Sequence, residues 1–339
     1  MKEEDTIALA HGSGGQMSRE LVEQVFAKAF ANPILASMGD AAVLEPPAGG
    51  RLALTTDSFV VRPLVFPGGD IGKLSICGTV NDLAVSGAEP LYLSAAFILE
   101  EGFSRSLLVE LVESMAATAK TAGVRIVTGD TKVVERHAAD GLFINTTGVG
   151  WIPAGRMLGP ERLQPGDVIL VNGTLGDHGL AVMLQREGMV FESKLTSDCA
   201  PLNGLIAALL AAVPEGAVRC MRDPTRGGVA ATLNEWVEGG AGIELEEGVL
   251  PIREEVAAAC EILGLDPLQA ANEGKVVIAV AAEYAETALA TLRLHPLGRQ
   301  AAAIGKVTAE HSGRVVLRTV YGARRIIEMP VGLLLPRIC

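Results

Sequence analysis

Aromatic side chains are scarce in this chain: eight Phe, two Trp and three Tyr among 339 residues. With 49% hydrophobic residues, the interior must therefore be filled by Ala, Val, Leu and Ile, the filling of layered α/β proteins. Basic charge is also short. Twenty-eight Lys and Arg face forty Asp and Glu, a formal charge of −12. That balance repels a phosphate backbone and leaves no basic stripe to hold one, so nucleic acid is not an expected partner. The five cysteines, Cys77, Cys199, Cys220, Cys260 and Cys339, are widely spaced and include no C-x-x-C pair. Neither a disulfide framework nor a zinc site follows. The longest uncharged stretch, Cys199 to Pro214, holds two prolines, an Asn and a Gly and falls short of the roughly 20 apolar residues a membrane helix needs. The opening MKEEDTIALAHGSGG lacks the basic start and apolar run of a secretory leader, so a cytoplasmic protein without membrane contact is expected.

The length suggests two domains at roughly 150 residues each. Apolar strand-like segments alternate with helix-period segments, which indicates α/β layers. In the first half the pattern predicts a helix over 18–31 with Ser18 as its cap, strands over 40–44 and 52–61, a helix over 71–86, a strand over 91–99, a helix over 106–122, and strands over 125–134 and 142–151. The stretch IPAGRMLGPERLQPGD, 152–167, packs prolines and glycines between apolar strands and marks a boundary near residue 154. The expected division is 1–154, 155–330, and a tail at 331–339. Second-half strands are expected near 168–171, 218–221, 243–245, 276–281, 303–307 and 315–320. VGLLLPRIC, broken by Gly332 and Pro336, reads as an extended tail, free to move, with an accessible Cys339 thiol.

Several loops carry candidate chemistry. HGSGG, comprising His11, Gly12, Ser13, Gly14 and Gly15, runs into a helix N-terminus, where free N–H groups attract anions; it equally reads as a plain flexible loop. Asp40, Asp57, Asp82 and Asp130 stand in or beside core elements. Carboxylates removed from water invite a shared cation, and oxygen ligands of this kind suit Mg²⁺ joined to phosphates; any one of them can instead cap a turn. DPTRGG offers Arg226, whose fork suits a phosphoryl oxygen, while GTLGDHG offers His178. NEG, before an apolar strand, offers Glu273. At Cys339, the adjoining terminal carboxylate raises the thiol pKa and Arg337 opposes it.

HGSGG, TTDSFVV, VNDLAVSGA, VTGDTKVVE, DPTRGG, NEGK and the closing PRIC together resemble the HypE family of hydrogenase maturation factors along the whole chain. PRIC is specific to that family. The other motifs are shared with an ATP-using superfamily that includes aminoimidazole ribonucleotide synthetase, selenophosphate synthetase and thiamine-monophosphate kinase. The resemblance implies a two-domain subunit, dimeric through its N-terminal sheet, with ATP in a cleft between the domains. It implies that Cys339 receives a carbamoyl group from the carbamoyltransferase HypF and that ATP-dependent dehydration turns this into a thiocyanate. The cyanide then passes to iron on the HypC–HypD complex, bound for [NiFe] hydrogenase. On this resemblance Asp40, Asp57, Asp82 and Asp130 hold Mg²⁺ and the triphosphate, with the glycine loop and Asn145 completing the ATP site. Lys132 and Glu273 face the modified cysteine, as oxyanion stabiliser and proton acceptor, and Arg226 steadies the γ-phosphate. Two rival readings stay open: a small-molecule kinase or synthetase in which Cys339 is incidental, and a non-enzymatic assembly factor that binds ATP only to present its tail.

Overall fold

The computed structural model describes residues 6–38, 41–45, 47–186, 195–332 and 338–339. In its first half, helix α1 (Gln16–Leu21) continues as a π-helical stretch Val22–Ala27. Strand β1 (Arg51–Phe59) is followed by a ribbon of β2 (Val65–Phe66) and β3 (Gly69–Asp70), then helix α2 (Ile71–Val85). Strand β4 (Glu89–Glu100), helix α3 (Arg105–Ala122), β5 (Arg125–Val134) and β6 (Leu142–Ile152) complete it. These strands form a four-stranded sheet in the order β1-β6-β4-β5.

Local chemistry sets the ends of the two helices packed on this sheet. The Asp70 carboxylate accepts from Lys73 N–H at 2.9 Å and caps α2. Ser104 Oγ accepts from Leu107 N–H to start α3, and Gly123, in the left-handed region at φ 72°, ends it. Along β4, Leu93, Ala95, Phe97 and Leu99 are buried, every second residue turning inward toward the helices. Helix α2 is buried nearly all round, because it also meets the helix Asn203–Ala212 and the strand Val218–Arg222 of the second half.

The second half comprises β7 (Val168–Val171), α4 (Asp177–Arg186), α5 (Asn203–Ala212), β8 (Val218–Arg222), α6 (Gly228–Val237), β9 (Gly242–Glu246), α7 (Glu254–Leu263), β10 (Val277–Val280), α8 (Ala285–Leu294), β11 (Ala302–Thr308), β12 (Val315–Arg318) and β13 (Arg324–Ile327). Its seven-stranded mixed sheet runs β13-β12-β9-β11-β7-β10-β8, with an apolar cluster on each face. Val182, Cys199, Ala271 and Ile338 from this half join the core of the first.

Four expectations change. The first helix starts at Gln16 with Gly15 as N-cap, because the Ser18 hydroxyl is engaged by Gly14 N–H and the Ala10 carbonyl and cannot cap. Residues 41–45 form no strand; Asp40 lies outside the described residues. The ribbon and β13 were not legible: two residues show no alternation, and Arg324 and Arg325 disguise a sheet-edge strand. The chain end is packed, with Ile338 3% exposed and Cys339 half-buried against the first core.

Candidate active site

The glycine loop closes one side of a cavity of about 300 Å³ lined by His11, Gly12, Gly14, Phe97, Asp130 and Lys132, among others. His11 Nδ1 accepts from Ala8 N–H at 3.0 Å, tying the turn Leu9–Gly12 to itself. A Cβ on Gly12 would stand 2.5 Å from Val133 N, so only glycine lets the loop lie on β5. Ser13 and Gly15 continue the loop to α1, Ser13 donating to the Ala10 carbonyl. The Lys132 ammonium pairs with Asp130 at 3.0 Å at the exposed rim.

Sheet register separates the aspartates. Asp57 lies opposite Thr146, which pairs with Ala95, which pairs with Gly129; Asp130 instead pairs with Ala96, itself opposite Asn145. Asp57 and buried Thr146 therefore face the α2 side, whereas Asn145, Asp130 and Lys132 belong to the outer face. Asn145 there donates to the Asp57 carbonyl and Ser58 Oγ. Three strand spacings, roughly 14 Å, separate β1 from β5.

On the inner side a second group forms across the two halves. Burial first, then the charge of Asp82, pushes the Asp57 carboxyl up to about 6, against Arg226 and the Ser58 N–H. Burial also raises Asp82, which accepts from Thr55 Oγ1 at 2.8 Å. Asp223, ahead of α6, is pushed up to about 7 by burial and by Asp82 and Asp57. Burial and the neighbouring Cys199, Asp223, Asp198 and Asp57 raise Glu273 well above the carboxylate range, and its Oε1 is buried without a hydrogen-bond partner. The Cys339 thiol enters this group. Burial, then Glu273 and Asp57, push it up to about 12, with Arg226 opposing. The expected accessible thiol is thus a docked one, and its pKa answers to burial, Glu273 and Arg226; Arg337 lies outside the described residues.

The support around Glu273 is extensive. Asn81 Nδ2 donates to the carbonyls of Glu273 and Ala200, while its Oδ1 accepts from Leu202 N–H at 2.8 Å. Asn272 Nδ2 donates to Pro224 O, linking NEG to DPTRGG. The buried Asp198 carboxylate accepts from the N–H groups of Glu273 and Gly274 and from the Lys275 ammonium at 2.8 Å. A Cβ on Gly274 would collide with the Asp198 carbonyl, so glycine is required at that crossing. His178 Nε2 lies 2.7 Å from the Ile338 carbonyl.

Sequence reading found Asp57, Asp82, Arg226, Glu273 and Cys339, which the structure gathers, and Asp130 and Lys132, which it sets at the rim. It missed Asn81, Asp198, Asp223 and Lys275. Asp223 stood inside a motif already singled out for Arg226, so a signal existed; Asp198 sits in a loop without periodicity and offered none. Among the described residues no three His, Cys, Asp or Glu side chains are grouped to ligate an ion by themselves, and no helix is long and apolar enough to cross a membrane.

Residues 38–152 match the family model of the AIR synthase related protein N-terminal domain, and residues 164–318 that of its C-terminal domain. The chain is 53% identical to carbamoyl dehydratase HypE of Rhodobacter capsulatus, over 99% of each chain. It superposes on a crystal structure of the hydrogenase maturation protein HypE in complex with ATP with a TM-score of 0.94 at 47% identity, covering 98% of this chain and 100% of the other. A HypE chain from a HypE–HypF complex gives a TM-score of 0.80 at 50% identity, covering 91% and 99%.

Proposed function

This chain belongs to the carbamoyl dehydratase HypE family of AIR synthase-related proteins, and from that membership we propose that it dehydrates a carbamoyl group carried on Cys339, at the expense of ATP. The product is a thiocyanate that supplies the cyanide ligand of [NiFe] hydrogenase iron. The observation that carries this reading is the docked thiol, set beside Glu273, Arg226 and Asp57.

A buried thiol held protonated up to about 12 is a poor nucleophile. Acceptance of the carbamoyl group from HypF therefore belongs to an undocked tail, and dehydration to a docked one, whose neutral thiocarbamate has no charge to bury. Phosphoryl transfer from ATP to the carbamoyl oxygen turns that oxygen into a leaving group. Two N–H protons leave, one as the imidate forms and one as the C–O bond breaks, and the products are the thiocyanate, ADP and phosphate. Glu273 rests as the neutral acid; once it has lost its proton, its raised pKa and unpaired Oε1 make the carboxylate a base suited to take a proton from so weak an acid. Arg226 would hold the transferring phosphoryl group in the fork of its guanidinium. We assign Lys132 to the oxyanion charge on its motif alone, since it stands on the outer face of β5 while the next residue, Val133, packs on the cluster that holds Ile338 and Cys339.

Mg²⁺ suits Asp57 and Asp82. Both carboxyls are half-buried and raised, and two carboxylates with substrate phosphates are its usual set. The ion would supply charge neutralisation at the phosphates. Asp130, with Asn145 and the glycine loop, would meet the nucleotide from the outer face, and Asp40 is retained with them from motif identity. That outer face exposes Leu52, Leu54 and Ile98, which a second copy of the chain would cover. HypC–HypD as cyanide acceptor, a cytoplasmic setting and a join at residue 154 complete the reading.

Intact-mass spectrometry tests it. After mixing with HypF, carbamoyl phosphate and ATP, the native chain gains one carbamoyl group and then loses one water in an ATP-dependent step; Cys339→Ala gains neither. Equal labelling of the alanine variant overturns the assignment.

A further inference from the structure

His178 is wholly buried at the start of α4, yet the chemistry above makes no use of it. Both ring nitrogens are engaged: Nδ1 lies 2.8 Å from Ser197 Oγ and Nε2 lies 2.7 Å from the Ile338 carbonyl. A carbonyl oxygen only accepts, so Nε2 carries the proton. Burial, acting against the charge of Asp198 and the Ile338 bond, pushes the imidazole pKa down and keeps the ring neutral. Nδ1 is then an acceptor, and the Ser197 hydroxyl donates to it. Ser197 is itself fixed, its Oγ accepting from Cys199 N–H at 3.1 Å and its N–H donating to Pro67 O at 2.7 Å. The Phe66 ring packs edge-on to the imidazole with centroids 5.4 Å apart. The orientation of His178 is thus set by elements other than the tail, and its Nε2–H points at a main-chain carbonyl one residue before Cys339.

We propose that His178, tuned by Ser197, is a positioning residue: a latch that holds the penultimate carbonyl of the tail and so seats the group on Cys339 against Glu273 and Arg226. Resting on the dehydratase reading, the latch divides the tail's time between acceptance outside and dehydration inside. It grips main chain, so its hold does not change as the cysteine is modified.

The test uses the full-length protein and iodoacetamide, with peptide mapping of alkylation. Cys77, Cys199, Cys220 and Cys260 are buried, so the rate at Cys339 reads the undocked fraction. His178→Phe keeps a ring without the donor, His178→Gln keeps a donor, and Ser197→Ala removes only the tuning group. Alkylation of Cys339 should rise about fivefold to tenfold in His178→Phe, the scale of one lost buried hydrogen bond. It should rise less in Ser197→Ala and return toward native in His178→Gln. Carbamoylation by HypF should hold or quicken while dehydration of the carbamoylated chain slows. An unchanged Cys339 alkylation rate in a folded His178→Phe or, should that variant not fold, in Ser197→Ala overturns the latch. Faster alkylation with unslowed dehydration overturns the positioning role. Faster alkylation alongside a native chain that never dehydrates its carbamoyl group overturns the dehydratase reading and leaves the latch standing.

Discussion

Asn81 on α2 donates to the backbone carbonyl of Glu273 at 3.2 Å, so a helix of the first domain fixes the loop that carries the proposed base of the second. The same amide bonds Ala200 and Leu202, and the side chain is 1% exposed. Asn81→Ala strands three backbone partners at the join. Stability should fall by about 2–4 kcal/mol, measured by urea unfolding, and dehydration should slow with it.

Glu273→Gln separates stability from chemistry. The acid is buried with a raised pKa, so its neutral form is the one the fold tolerates. For such a group the stabilising contribution is complete below its unfolded value, near 4.5, and is lost as pH rises through the higher folded value. The glutamine variant has no such loss. Its melting temperature should match or exceed native, by a margin growing from pH 5 toward pH 9, while dehydration falls about 10²–10⁴-fold for want of a proton acceptor. A variant less stable than native throughout that range would contradict this account.

Asp198 runs the opposite way. Burial pushes its carboxyl up, but Lys275 and the Glu273 N–H hold it below the ordinary value. Its contribution is therefore present above the unfolded carboxylate pKa and lost as pH falls through the folded one. Removing one partner of this buried pair, as in Lys275→Met, should cost about 3–5 kcal/mol near pH 7, and the deficit should shrink in acid; chemical denaturation at pH 7 and pH 4 checks both.

These contrasts show what the sequence could carry. Strands β4 and β5 are legible to within two residues because their apolar residues alternate or run unbroken between turn signals. Asp57 and Asp82 are legible because a carboxylate among apolar residues violates a local pattern. Asp198 violates none, and its importance comes from Glu273, Gly274 and Lys275, distant in sequence. The separation of Asp57 from Asp130 is a register effect: each motif announces an acid, but only pairing through β6 and β4 decides the face. The tail reads as unpacked because its burial partners, His178 and the first core, belong to other elements.

Arg226 carries a charge that bears on the thiol and a fork proposed for the phosphoryl group, and two variants divide those roles. It stands exposed before α6, followed by Gly227 in the left-handed region, and its charge lowers the pKa of Asp57 and of Cys339. Arg226→Lys keeps the charge but loses the planar fork. ATP-dependent dehydration should drop about 10²–10³-fold, while Cys339 alkylation near pH 8 stays close to native. Arg226→Ala should lose dehydration further, since the charge goes as well. Alkylation near pH 8 reads the undocked tail, where Arg226 does not reach the thiol, so it should stay close to native in both variants, against the acceleration expected on breaking the His178 bond. Faster alkylation in Arg226→Ala would show that the guanidinium also holds the tail in place.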